Sequence, residues 1–160
     1  HATEIATVGV GYDGSVESKD ALAFARDLAA QHHASLRALR VVTIPSSPYV
    51  GYAGVALPDL IETMMAQATD DLSELDGVEG EARIGAVGDE LSAFAETVDV
   101  LVIGSRGYGA LRRLMLGSTA HYLTGHARCP VVVLPRGRRD AAEDHQSNGD
   151  RDAATVHATS

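Results

Sequence analysis

The chain holds a single cysteine, Cys129, and a single lysine, Lys19, among 160 residues. One cysteine excludes an internal disulfide and fits a reducing compartment. One lysine, distant from every glycine loop, excludes the Walker pattern G-x-x-x-x-G-K-[ST] and the lysine clamp of standard nucleotide hydrolysis. Basic residues are also scarce: 13 Lys and Arg stand against 22 Asp and Glu, a formal net charge of −9. A chain of that sign has no general attraction for nucleic acid. No apolar run approaches the ~20 residues of a membrane helix. No secretory signal is visible, although the chain begins at His1 rather than Met, and the expected setting is the cytoplasm. The hydrolase elbow G-x-S-x-G is missing too. His32, His33, His121 and His126 have no partner cysteines at zinc spacing and read as surface or packing residues.

Hydrophobic residues make up 45% of the chain and charged residues 22%, the composition of an ordinary globular protein with one real core. The most informative stretch is 100–119, Val-Leu-Val-Ile-Gly-Ser-Arg-Gly-Tyr-Gly-Ala-Leu-Arg-Arg-Leu-Met-Leu-Gly-Ser-Thr. Four aliphatic residues open it, as in a strand buried on both faces. Gly104, Gly107 and Gly109 follow, then Gly117-Ser118-Thr119, a turn leading into a helix cap. Glycine lets backbone N–H groups approach a ligand, and a helix N-terminus adds unpaired donors and a positive dipole end. Strand, glycine loop, hydroxyl cap and helix together read as a phosphate cradle. The plain alternative is that the glycines only turn the chain. Arg112 and Arg113 either reach a phosphate or stay solvated.

The rest alternates regularly. A buried strand over 5–11 precedes the turn Tyr12-Asp-Gly-Ser15, with Ser15 or Ser18 as cap. Ala21, Leu22, Ala25, Leu28 and Ala29 recur at helical spacing to about Gln31. A second strand spans 36–42. Residues 43–56, rich in proline and glycine, form a long loop. A second helix begins near Pro58-Asp59 and runs through Leu60, Ile61, Met64, Met65, Ala68 and Leu72 to about Leu75, its methionines at core spacing. A weaker strand over 81–87 precedes a short helix over 90–96 capped by Asp89. The fourth strand ends at Ile103, and a helix from Ser118 to about Gly125 or His126 leads to a fifth strand over 131–134. Cys129 reads as a small buried apolar residue. Beyond Pro135, residues 136–160 lack periodicity and read as a disordered charged tail, leaving 1–135 as the domain.

Alternation of this kind predicts an α/β fold: an open, doubly wound, five-stranded parallel sheet with helices on both faces. Ligands of such sheets bind beyond the strand C-termini where the order reverses. If the first and fourth strands are neighbours there, Asp13 and Gly104 face each other across the crevice. Gly9-Val-Gly-Tyr-Asp-Gly14 also matches the dinucleotide fingerprint G-x-G-x-x-G. That fingerprint wants an acid near the end of the second strand, where this chain has Arg40-Val-Val-Thr43.

Taken together these residues resemble the universal stress protein family, in its ATP-binding branch. Gly104, Gly107, Gly117 and Ser118 reproduce that branch's G-x2-G-x9-G-[ST]. Gly-Tyr-Asp-Gly-Ser15, Leu39-Arg-Val-Val42, Gly88-Asp89 and Cys-Pro-Val-Val-Val133 extend the likeness over about residues 4–136. The resemblance implies a Rossmann-like fold and specific roles. Gly11, Tyr12 and Asp13 would flank the adenosine, Tyr12 standing where the family commonly has a small residue or proline. Val41 would meet the adenine, and Ile103, Gly104, Arg106 and Gly107 would line the ribose and phosphate path. Gly117, Ser118 and Thr119 would bind the phosphates of ATP, with Mg2+ or Mn2+ bridging and no residue named as catalytic. A homodimer through Val131–Leu134 is implied as well. Gly-Ser-Arg-Gly-Tyr-Gly109 resembles the second half of tandem members. The function expected is a nucleotide-dependent regulatory module in stress response. The alternatives are a slow ATP hydrolase or phosphotransferase on the same site, a dinucleotide-binding domain, and a purely structural dimer.

Overall fold

Aliphatic runs form the strands and segments of helical period form the layers above and below them. The computed structural model describes residues 4–44, 57–105 and 118–135. Along these run β1 (Thr7–Gly11), α1 (Val16–His32), β2 (Ser35–Val42), α2 (Leu57–Ser73), β3 (Glu79–Ile84), α3 (Val87–Ala95), β4 (Val100–Gly104), α4 (Ser118–His126) and β5 (Val131–Leu134). The sheet has five strands in the order β3-β2-β1-β4-β5. Every pair is parallel, with Val8 beside both Leu36 and Val100. The winding therefore reverses between β1 and β4, as an open doubly wound sheet requires.

Each side of the sheet has its own core. Val8, Val10, Leu36, Ala38, Val100 and Val102 pack under α1 and α2, where α1 contributes Ala21, Leu22, Ala25 and Ala29. Leu39, Leu101 and Ile103 pack under α3 and α4 with Leu91, Phe94 and Leu123. Alternation along β1 turns Val8, Val10 and Tyr12 toward α1 and leaves Gly9 and Gly11 toward α3. A Cβ on Gly9 would lie 2.8 Å from Phe94 Cε1, and one on Gly11 would lie 3.3 Å from Leu91 Cδ2. The Gly-x-Gly spacing that matches a dinucleotide fingerprint thus has a packing cause: α3 sits directly on bare backbone.

Helix α1 begins where the sequence places it. Ser15, in extended conformation, is its N-cap, and Ser15 Oγ accepts a hydrogen bond from the Ser18 N–H at 3.2 Å. Asp13 Oδ1 accepts from the Ser15 N–H at 2.9 Å, bridging Gly14 at φ 84°, a left-handed value glycine adopts freely. The helix ends on His33 at φ 52°. Here a side chain tolerates the left-handed cap more often given to glycine.

Three expectations need correction. The third strand is Glu79–Ile84 rather than 81–87, and Val87 already belongs to α3. Asp89 does not cap α3: Ala86 stands at the N-cap without a side-chain bond, and Asp89 lies inside the first turn. In α2 the buried residues are Ala68 and Leu72, whereas Met64 and Met65 are only half-buried. The 45–56 loop and the 136–160 tail lie outside the described residues.

Candidate functional site

The cleft follows from the early end of β1. Its last register pair with β4 is Val10–Val102, although β4 continues to Gly104. On the other side the last bond runs from the Tyr12 N–H to the Leu39 carbonyl, 2.9 Å. Strand β2 runs on to Val42, whose carbonyl accepts from the Gly85 N–H at 3.1 Å beside β3. Peptides along a parallel strand alternate sides. The Val41 N–H and C=O therefore turn toward the side that β1 has vacated, past its end.

A cleft of about 320 Å³ opens at this place. Gly11, Tyr12, Asp13, Val41, Ile103, Gly104, Ser118 and Thr119 all line it, so eight residues singled out from sequence meet at one site. Arg106, Gly107 and Gly117 lie outside the described residues, as do Gly109, Arg112 and Arg113. Sequence reasoning missed Leu39, Val87, Leu91 and Ala120, which add apolar wall, and Glu17, Ser18 and Thr43, which add polar groups. Their signals were burial, helix position or, for Thr43, a place just past β2, and none of these points to a cleft until the strand order is known.

The walls differ in character. Leu39, Val41, Leu91 and Ile103 make an apolar side suited to a flat ring. The N-terminus of α4, with Ser118 and Thr119, makes a side of hydroxyls and first-turn N–H groups. Among the described lining residues the charged ones are Asp13 and Glu17, both acidic. Tyr12 is 9% exposed, its ring held in the core under α1 while one edge borders the cleft. Gly104 has a packing cause of its own: a Cβ there would lie 2.6 Å from the Glu17 carbonyl oxygen in the first turn of α1. Nearby, Arg40 is anchored to Asp71 at 2.7 Å. Further along the sheet, the Arg83 guanidinium grips both Glu81 carboxylate oxygens at 2.8 and 3.0 Å and holds that carboxyl below its usual range.

The universal stress protein family model matches residues 4–135. The chain belongs to the universal stress protein family. It is 34% identical over 146 residues to a universal stress protein of Mycolicibacterium smegmatis, covering 84% of this chain and 49% of that one. The chain spans about half the length of that relative and of several other curated mycobacterial ones. Universal stress protein UspA from Lactobacillus plantarum superposes with a TM-score of 0.66 at 25% identity, covering 82% of this chain and 99% of that one. A universal stress protein solved in complex with cAMP shares the fold at a TM-score of 0.55 and 24% identity, covering 82% and 98%.

Two other sequence readings in this universal stress protein bear on chemistry. His32, His33, His121 and His126 are exposed, and no group of three or more His, Cys, Asp or Glu among the described residues is placed to hold a metal. Cys129 is half-buried against the α3 and α4 core, and burial pushes its thiol above the ordinary value. Iodoacetamide at neutral pH is expected to label native Cys129 about tenfold or more slowly than the urea-unfolded chain, because little thiolate is present or accessible. Equal rates by intact mass would contradict this account of the thiol.

Proposed function

We propose that this universal stress protein is an ATP-binding regulatory module of the cytoplasm, in which nucleotide occupancy alters shape or partner binding. The observation that carries the reading is the pairing of two unlike walls in one cleft. One is apolar and bordered by the Val41 peptide edge. The other is the α4 N-terminus with Ser118 and Thr119. A base needs a flat apolar slot with an adjacent donor and acceptor, and phosphate suits a helix N-terminus. A family member solved with cAMP supports the choice of an adenine nucleotide.

Asp13 and Glu17 oppose bare phosphate, so the nucleotide enters as a complex with Mg2+ or Mn2+. Carboxylate and hydroxyl oxygens are the donor class such ions accept, with phosphates supplying most of the coordination. Homodimerisation through β5 completes the reading: Val131, Val132 and Val133 are half-buried on that edge strand.

Calorimetric titration with ATP and Mg2+ is the test. Gly107→Val and Gly117→Val are each expected to abolish binding while circular dichroism stays native, because the new branch occupies phosphate space. Unchanged affinity in both variants would remove the phosphate assignment. Turnover near ~10 per second, ordinary for an enzyme, would replace the module with a hydrolase.

A further inference from the structure

Helices α3 and α4 are neighbours on one face of the sheet, both border the cleft with their N-terminal ends, and among the described residues hydrogen bonds join them at two levels. At the C-terminal end of α4, Ser92 Oγ donates to the His126 carbonyl at 3.2 Å. Close to the cleft, Tyr122 Oη donates to Asp89 Oδ1 at 2.7 Å. Val87, two residues before Asp89, lines the cleft, and so do Ser118 and Thr119, one turn before Tyr122. The Tyr122 ring is fixed on both sides. It stacks on His126 with centroids 3.9 Å apart and planes 5° from parallel. Gly88 approaches the other side so closely that a Cβ would lie 2.9 Å from Tyr122 Cδ1. The packed ring aims the hydroxyl across from α4 to the first turn of α3.

We infer that the Tyr122–Asp89 hydrogen bond is a clasp that sets the width of the cleft, making Tyr122 a positioning residue for the phosphates. The inference rests on the nucleotide reading above. Ala120 and Leu123 keep α4 packed in the core and Ser92 still bonds His126, so release at Asp89 lets only the first turn of α4 shift away from Val87. Ser118 and Thr119 then lose their distance from the base wall, while the base wall itself, built on β2, β4 and Leu91, stays in place. Phosphate contacts suffer and base contacts do not.

Tyr122→Phe keeps both ring contacts and removes only the donor. Asp89→Ala removes the acceptor, and Asp89→Asn keeps a carbonyl acceptor. Tyr122→Phe and Asp89→Ala are each expected to weaken Mg-ATP binding by roughly three- to tenfold, the effect of losing one net hydrogen bond. The double variant should be no weaker than either alone, since both delete the same contact. Asp89→Asn should bind within about twofold of the parent, and adenosine should bind equally to all. Equal losses for adenosine and ATP would mean general loosening and would overturn the clasp. So would unchanged ATP affinity in both deletion variants. Without any nucleotide, the amide resonances of Ser118, Thr119 and Val87 should move in Tyr122→Phe. If they stay fixed, the clasp is wrong while ATP binding by the parent stands. If the parent binds neither ATP nor adenosine, the nucleotide reading fails and the clasp with it.

Discussion

Phe94→Ala is expected to lower the free energy of unfolding by about 3–5 kcal/mol, the upper range for truncating a buried aromatic. Phe94 is fully buried and is the largest such side chain among the described residues. Its surroundings make collapse of the resulting cavity difficult. Beneath the ring β1 offers only Gly9, whose absent Cβ would lie 2.8 Å from Phe94 Cε1, so no side chain of β1 can slide in. Above it the guanidinium of Arg37 sits 5.2 Å from the ring centre and that of Arg83 5.9 Å. Both are kept in place by Glu81. Truncation removes the cation–π contacts together with the buried area. Phe94→Leu retains most of the volume and should cost less than about 1.5 kcal/mol. Gly9→Ala should destabilise the parent by about 1–3 kcal/mol through overpacking and should cost less, or nothing, in the Phe94→Ala background. Urea unfolding of the four variants checks this. A loss under about 1 kcal/mol for Phe94→Ala would show that α3 does not lean on this ring.

Why Phe94 matters was hidden in the sequence, although most of the fold was legible there. Strands β1, β2, β4 and β5 announce themselves as aliphatic runs, and α1 and α4 as helical segments behind Ser15 and Ser118. Strand β3 does not, because it lies at the sheet edge with one polar face. Gly80, Ala82 and Ile84 alternate with Glu79, Glu81 and Arg83, and the Glu81–Arg83 pair lies on that polar face. A sign of burial on both faces is the wrong thing to look for at such a position. Asp89 looks like the cap of α3 by local chemistry, yet the helix starts at Val87. The Asp89 carboxylate instead receives the Tyr122 hydroxyl, a contact 33 residues away that no local rule contains. In the cleft, glycines and hydroxyls were visible as a pattern. Leu39 and Leu91 were not, because a buried leucine becomes a cleft wall only when strand order leaves space beside it. The acid missing after β2 argues against treating Gly9 and Gly11 as a dinucleotide loop, and the packing of α3 gives both glycines a physical reason of their own.

Gly104→Ala should lose on two counts at once, and the combination separates its role from that of the other glycines. The added Cβ would lie 2.6 Å from the Glu17 carbonyl oxygen and 2.8 Å from its carbonyl carbon. Both are backbone atoms inside a helical turn, so no rotamer change relieves the contact and the start of α1 must lift from β4. Overpacking of this kind costs about 1–3 kcal/mol, visible as a lower Tm without any ligand. The same displacement carries Ser15, its hydrogen bond to the Ser18 N–H, and the Asp13 turn away from the cleft they border. Affinity for Mg-ATP is therefore expected to fall by about tenfold or more. Gly107→Val and Gly117→Val should behave differently, losing affinity while the ligand-free Tm stays near that of the parent. If Gly104→Ala instead melted like the parent and lost only binding, Gly104 would be a phosphate glycine alone and the contact with Glu17 would carry no weight. If it kept its affinity while melting lower, α1 could move without disturbing the site, and Asp13 and Ser15 would have to be removed from its machinery.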